Sequence, residues 1–260
     1  MKYSSINTVD SLFNYDLPPS ELLCDVLLAR GFFVELFDNQ IILSDNALLK
    51  PSSFQRLFDT KIHDALSLER LLRFSDLGEL HGHNLIVLRP PITKNKVRLL
   101  FESRHVGGEV CYRLHSKCWN NFKKYQHGFK IPTSVLDTHV AILVKAFSAC
   151  GCNTWLSCEG YQNNAYIYFI GPYHGLWAQM IFKKISSSYK LENHWKFSTE
   201  SLHVEPCEPE SRSSHNLNIE GVWTELITIG VAIYKNRIEL RDLKQRIIAS
   251  PEAYGFYPKD

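Results

Sequence analysis

Apolar residues in the first 90 positions follow a helical period and then a strand pattern. Between Ser20 and Arg30 they recur at helical spacing and Gly31 follows, which predicts a short helix. Residues 32–37 and 40–43 are rich in β-branched and aromatic side chains around the polar pair Asp38-Asn39, so we expect a tight hairpin. Helix, strand, turn, strand is the element order at the end of a winged helix. Residues 85–88 predict one more short strand.

The double proline Pro90-Pro91 is the best candidate for a linker, because proline interrupts both helices and strands. We therefore expect an N-terminal α/β region over residues 1–91 and a C-terminal α+β domain over 92–260. Alternating residues in 97–104 and 109–115, on either side of Gly107-Gly108, predict a hairpin at the start of the second domain.

The most regular pattern covers residues 134–186. Ser134-x-x-Asp137 resembles a capping box before an apolar helical stripe, and two apolar runs follow at 153–156 and 165–170. Their connection is too short for a crossover helix, so the strands should be antiparallel and a second helix should follow them. A helical stripe from 220 to 249 predicts one long C-terminal helix. The expected fold class is α+β, with antiparallel hairpins packed by helices, and no sequence repeat is apparent.

Composition restricts the class of protein. The 260 residues are 45% hydrophobic and 22% charged, which is typical of a globular protein. No apolar run approaches the roughly 20 residues of a membrane span, and the seven cysteines lack a disulfide framework. These features predict a cytoplasmic protein with reduced thiols and no membrane association. Cysteine and histidine spacing predicts no metal site.

Positive charge is concentrated in residues 94–130, where nine Lys and Arg face two Glu, while the whole chain carries only +2. Aromatic residues are interleaved with these cations. Cations can neutralise phosphates, and aromatic rings can stack on unpaired bases. The combination is typical of proteins that bind single-stranded nucleic acid. The alternative is a solvated basic face whose aromatics lie in the core. The candidate binding residues here are Arg104, Arg113, Lys117, Trp119, Lys123 and Lys124.

The most unusual local string runs from Thr154 to Tyr161, a predicted strand that enters a turn of small residues. Such a turn exposes backbone amides, a hydroxyl and a thiol around a flexible glycine, which suits a polar ligand. We take Cys158 and Glu159 as candidate catalytic residues, and Ser157, Gly160 and Tyr161 as candidate binding residues. An ordinary hairpin loop is the alternative interpretation.

The opposite end of this predicted hairpin carries His174, close to the expected start of a helix. Free amides at a helix N-terminus can hold an anion, so His174 is a further candidate binding residue. A plain Gly-Pro turn is the alternative there.

Residues Thr154, Ser157, Cys158 and Gly160 resemble the Thr-x-Ser-Ser-Cys-Ser-Gly-Arg turn of the wybutosine-synthesising tRNA methyltransferases. That resemblance implies tRNA modification with S-adenosylmethionine. Glu159 and Tyr161 stand where this family has Ser and Arg. The turn is also similar to Ser-Cys-x-Gly turns in small bacterial proteins of unknown function.

Three functions follow from these patterns. The first is an RNA- or nucleotide-binding protein with a small polar pocket at Ser157–Tyr161 and no cofactor. The second is an effector or interaction component of a bacterial defence or toxin-antitoxin system, controlled by a protein partner along residues 220–249. The third is the S-adenosylmethionine-dependent tRNA-modifying enzyme. No phosphate-binding glycine loop, His-Glu-x-x-His or Gly-x-Ser-x-Gly motif occurs, so the sequence leaves open whether the protein is an enzyme.

Overall fold

The computed structural model describes residues 10–38, 40–44, 60–82, 84–102, 119–124, 131–160, 165–205 and 219–258. The chain forms two compact units. The first combines Met1–Gly108 with Lys130–Ile142, and the second combines Glu109–Phe129 with Leu143–Asp260. The boundary at residue 91 that the sequence predicts for independent domains stays a prediction.

The described part of the first unit alternates helices with strand pairs. In chain order its elements are α1 (Pro19–Ala29), β1 (Val34–Phe37), β2 (Gln40–Leu43), α2 (Thr60–Phe74), β3 (Gly78–His81), β4 (Leu85–Leu88) and α3 (Lys94–Glu102). The strands form an antiparallel four-stranded sheet in the order β1-β2-β4-β3. The predicted opening helix, the hairpin that follows it and the strand at 85–88 are confirmed.

The predicted strand at 97–104 is wrong, because residues 94–102 form helix α3. Val97, Leu100 and Phe101 are all buried, whereas Leu99 is exposed. Burial at positions i, i+3 and i+4 is typical of a helix. The alternating pattern that predicted a strand is therefore not the one that the fold uses here. The second predicted strand of that hairpin, 109–115, lies outside the described residues.

The second unit repeats this alternation. Its elements are α4 (Trp119–Lys124), α5 (Ala141–Ala149), β5 (Thr154–Cys158), β6 (Tyr166–Phe169), α6 (Pro172–Ser186), β7 (His194–Phe197), β8 (Ser201–Glu205), α7 (Ile219–Lys235) and α8 (Arg237–Ala249). Helix α5 begins in the last two residues of the first unit. The strands form an antiparallel sheet in the order β5-β6-β8-β7. The predicted helix-strand-strand-helix order and the α+β class are confirmed.

The first helix of that order starts later than predicted. Residues Thr133–Val135 form a short 3₁₀ turn, Leu136 is extended, and the α-helix begins only at Ala141. The Thr133 amide donates to the Asp64 carboxylate at 2.6 Å. This tertiary hydrogen bond holds the backbone next to Ser134, where the capping-box pattern predicts the start of the helix.

The C-terminal residues are helical as predicted, but in two helices rather than one. Asn236, with φ −94° and ψ 10°, separates α7 from α8. Its side-chain amide donates to the Ala232 carbonyl at 2.8 Å. The apolar stripe continues across this residue, so hydrophobic periodicity alone did not reveal the break.

The two sheets share one strand order, although the sequence shows no repeat. The helix before each sheet also ends in the same way, at Gly31 (φ 92°) and at Gly151 (φ 76°). One residue later, Phe32 and Cys152 donate to the carbonyls of Leu27 and Phe147, both at 2.9 Å. A left-handed glycine with this returning hydrogen bond is a Schellman helix end, which turns the chain from helix into strand.

Helices cover one face of the second sheet. Ile167, Phe169 and Leu202 are buried on that face, and the Phe147 ring of α5 meets Phe169 edge-on at 5.5 Å between centroids. Phe182 of α6 packs against Trp195 and Phe197 at 5.5 and 5.3 Å. The other face remains half-exposed to solvent, which makes its side chains available to a ligand.

Candidate functional site

The half-exposed face of the second sheet carries a group of aromatic side chains, which we call the open aromatic face: Trp155, Tyr166, Tyr168 and His203. Directly opposite residues of an antiparallel pair share a face. Tyr166 lies opposite His203, Tyr168 opposite Ser201, and Lys196 of the edge strand opposite His203. With Trp155 of β5, which contacts Tyr168, all four strands therefore contribute a ring or a cation to one side of the sheet.

The rings of the open aromatic face are close neighbours. Ring centroids lie 5.4 Å apart for Tyr166 and Tyr168, 5.6 Å for Tyr168 and His203, and 5.8 Å for Trp155 and Tyr168. These contacts are tilted or edge-on, so the rings of the face are not parallel to one another. Each of the four side chains is only partly buried, so ring surface stays accessible. Such surface can stack on planar, unpaired groups.

Hydrogen bonds hold one member of this face in place. The Ser201 hydroxyl lies 2.6 Å from the His203 Nε2 atom and is also hydrogen-bonded to the Ser198 hydroxyl. Ser201 is buried, whereas His203 is half-exposed. The buried Ser201 hydroxyl, itself bonded to the exposed Ser198, therefore orients the ring of a histidine that reaches the surface.

The predicted turn lies at one end of this sheet, and its residues point in different directions. Cys158 lies opposite Tyr166 and shares the open aromatic face, whereas Ser157 lies opposite Ile167 on the other face. The Gly160 amide, at φ 89°, donates to the Cys158 sulfur at 3.4 Å. Glu159 is only 3% exposed, and its backbone carbonyl accepts from Trp223 Nε1 at 2.9 Å.

This arrangement changes the chemistry expected of the turn. A base that serves a ligand from solvent needs an accessible carboxylate, and Glu159 does not present one. Tyr161 lies outside the described residues. The catalytic roles of Cys158 and Glu159 stay a prediction, as does the tRNA-modifying activity implied by the resemblance.

His174 is buried rather than available to a ligand. Its Nδ1 atom accepts the Asn153 amide at 3.1 Å, and its carbonyl accepts from the Cys152 thiol at 3.2 Å. Burial, and secondarily the charge of Lys244, hold the pKa of His174 well below its usual value. The imidazole is therefore a neutral acceptor that joins the first turn of α6 to the loop before β5.

Lys244 completes the buried group around His174. Its ammonium nitrogen donates to the Gly151 carbonyl at 2.6 Å and lies 4.2 Å from the centroid of the Phe122 ring. Burial lowers the pKa of Lys244 to about 7. The side chain is 0% exposed, so this amine stabilises the end of α5 and is not open to a substrate.

The basic segment is only partly described, and its described members divide into two groups. Trp119 is 5% exposed and packs against Phe122, Tyr173 and Phe256, so bases have no access to its ring. Lys123 is half-exposed and Lys124 is exposed. The candidates Arg104, Arg113 and Lys117 lie outside the described residues.

Two other cations of the segment have acidic partners within the first unit. Lys96 lies 2.9 Å from an Asp76 carboxylate oxygen, and Arg98 forms an ion pair with Asp10. Paired cations release fewer counterions on binding a phosphate chain than free ones do. The seven excess positive charges of residues 94–130, nine cations against two Glu, therefore overstate the charge available to a nucleic acid.

Sequence reasoning missed the open aromatic face. A usable signal was present in Tyr166-Ile167-Tyr168-Phe169, where alternate residues are phenolic and apolar. In a strand that pattern places both tyrosines on one face and both apolar side chains on the other. His203 and Lys196 joined this face only through strand pairing, which no local pattern reveals.

In the described ranges, His, Cys, Asp and Glu form no cluster of three or more that would hold a metal ion. None of the helices within those ranges has the length and apolar character needed to cross a membrane. Compared with known proteins, the chain matches no family model, no curated protein and no solved structure at a significant level.

Proposed function

We propose that this protein binds RNA or a nucleotide-like ligand, with unpaired bases stacked on the open aromatic face. The observation that carries the proposal is the cluster of half-exposed rings around Tyr168 on one side of an antiparallel sheet. Stacking between bases and aromatic rings contributes about 1 to 3 kcal/mol per base and tolerates any sequence. Sheets that bind RNA in this way stack two or three bases.

Positive charge beside the rings supports the same ligand. Lys196 is exposed on the edge strand and lies opposite His203, and exposed His194 lies two residues away on the same side. A sugar-phosphate backbone that follows bases across the face would pass close to these side chains. Lys196 provides the charge-dependent part of binding, and the rings provide the part that resists salt.

A binding assay with a fluorescent single-stranded RNA of about ten nucleotides tests the proposal. Substituting both Tyr166→Ala and Tyr168→Ala removes two stacking surfaces, so the Kd should rise at least about ten-fold. The matched control is Tyr189→Ala, because Tyr189 is 43% exposed and lies outside the sheet. That variant should bind within about two-fold of the original protein.

Three results would overturn the proposal. One is the absence of RNA binding even at low salt. Another is a double variant that melts normally and binds as tightly as the Tyr189→Ala control. Tighter binding to duplex RNA or DNA than to the single strand would also contradict it, since paired bases do not offer their faces to the rings.

A further inference from the structure

The hydroxyl chain behind His203 distinguishes this residue from the other rings of the open aromatic face. Ser198 bonds to Ser201, and Ser201 bonds to His203 Nε2 at 2.6 Å. Ser201 is 3% exposed and His203 is half-exposed, so this hydrogen bond is shielded from water on the serine side. A residue that served only for stacking would need no polar partner beside it.

One ring nitrogen of His203 is left for a ligand. Because Nε2 is engaged by Ser201, the remaining polar atom is Nδ1, and none of the residues that the structure describes bonds it. In a neutral imidazole one nitrogen donates and the other accepts. The Ser201 hydroxyl can either donate to Nε2 or accept from it, and Nδ1 then takes the role opposite to that of Nε2.

The neighbours of His203 place that nitrogen where a stacked base would lie. The His203 ring is edge-on to Tyr168 at 5.6 Å and tilted against Tyr166 at 6.3 Å. A base that covers either tyrosine brings its polar edge towards the imidazole. Tyrosine rings hold all four bases alike, whereas a single oriented nitrogen distinguishes their edges.

We propose that His203 determines base specificity, by one hydrogen bond from Nδ1 to the edge of an unpaired base, and that Ser201 is its positioning residue. This inference rests on the proposed function, because it requires a base stacked on the open aromatic face. It adds that binding is selective, and that selectivity and affinity belong to different side chains.

The experiment compares four homo-oligoribonucleotides of about ten residues, of A, C, G and U, in a competition assay. The original protein should prefer one base over the weakest by about five-fold or more, the worth of one net hydrogen bond. His203→Phe keeps a ring but removes both nitrogens, so it should weaken binding of the preferred oligonucleotide and reduce the preference to within about two-fold.

Ser201 is tested by two variants in the same assay. Ser201→Ala removes the hydroxyl and should reduce the preference as His203→Phe does, whereas Ser201→Thr keeps a hydroxyl and should restore it. A purely structural serine would change melting temperature or the affinity for every oligonucleotide together. Melting curves for each variant separate that effect from a change in preference.

The outcomes distinguish this inference from the function on which it rests. Equal binding of all four oligonucleotides by the original protein would overturn the specificity role and leave the stacking proposal intact. A preference that survives in His203→Phe would do the same. Failure of every oligonucleotide to bind would reject both proposals.

Discussion

The two sheets of this protein have the same strand order and opposite surface chemistry. On the open side of the first sheet, register pairs Glu35 with Ile42, Glu79 with Val87, and His81 with Leu85. On the corresponding side of the second, rings of Tyr166, Tyr168 and His203 lie together beside Lys196. Backbone architecture alone therefore does not determine which side chains a sheet offers on its surface.

The charges of the first sheet are also balanced internally. Glu79 accepts from Arg89 at 2.9 Å and lies 3.2 Å from His81. The aliphatic side chains between these groups have no flat surface for a base, and the exposed ring of Phe37 lies at the end of the edge strand β1. We infer that the first sheet has a mainly structural role and that ligand binding belongs to the second.

The largest effect should come from Gly175, which anchors the second sheet. A Cβ at this position would lie 2.1 Å from the Thr199 carbonyl oxygen, a contact that backbone atoms cannot relieve without moving the loop before β8. We expect Gly175→Ala to lower the free energy of unfolding by at least about 3 kcal/mol in urea titration. Gly82→Ala, which meets no atom within 4 Å, is the control and should cost about 1 kcal/mol through its positive φ of 63° alone. Similar losses in both variants would contradict the steric account.

A direct comparison of the two open faces uses one ring from each sheet. Tyr168→Ala should raise the Kd for single-stranded RNA about ten-fold, because Tyr168 contacts three other rings of the face. Phe37, 65% exposed on the first sheet, provides the counterpart. Phe37→Ala should leave the Kd within about two-fold. An equal loss in both variants would show that the first sheet also takes part in binding.

Helices α1 and α5 both end at a left-handed glycine, but only the end of α5 is bonded to a lysine. The stability of the protein should therefore depend on pH through that lysine. The Gly31 carbonyl accepts from the Thr133 hydroxyl at 3.0 Å, whereas the Gly151 carbonyl accepts from Lys244. Because the pKa of Lys244 is lowered to about 7 in the folded state, the unfolded chain binds more protons above that pH. The free energy of unfolding should therefore rise with pH between about 7 and 8.5, by up to about 1 kcal/mol per pH unit.

Lys244→Met should abolish that rise, whereas Thr133→Val, at the uncharged helix end, should keep it. Urea titrations at several pH values measure both. An unchanged slope in Lys244→Met would place the proton uptake on another group.

The smallest effect should come from replacing a single lysine. It should be seen in the salt dependence of RNA binding. Lys196→Ala should reduce the slope of log Kd against log salt by about one phosphate contact. Lys96 of the first unit is the matched residue, and Lys96→Ala should leave the slope unchanged because the proposed binding face belongs to the second sheet. Equal reductions would indicate that the basic segment contributes after all.

Sequence reasoning was reliable where one local pattern determines an element. The helix before Gly31 and the strand pair around residue 160 were predictable because apolar period and glycine placement agreed. It failed for residues 94–102, where short alternation and helical period compete, and at Asn236, where apolar spacing hides a break. The candidate site was harder to predict, because the ring cluster is formed by β5, β6 and β8 together. Glu159 and Trp119 show the reverse problem, since polar and aromatic residues in a suggestive string turned out to be buried.

Photocrosslinking tests the central claim most directly. A short single-stranded RNA with 4-thiouridine at successive positions would be irradiated on the full-length protein, and the crosslinked peptides identified by mass spectrometry. We predict crosslinks on β5, β6 and β8, at Trp155, Tyr166, Tyr168 or His203, and their loss in the Tyr166→Ala, Tyr168→Ala double variant. Crosslinks confined to β1–β4, or an unchanged pattern in the double variant, would contradict the assignment of the binding face to the second sheet.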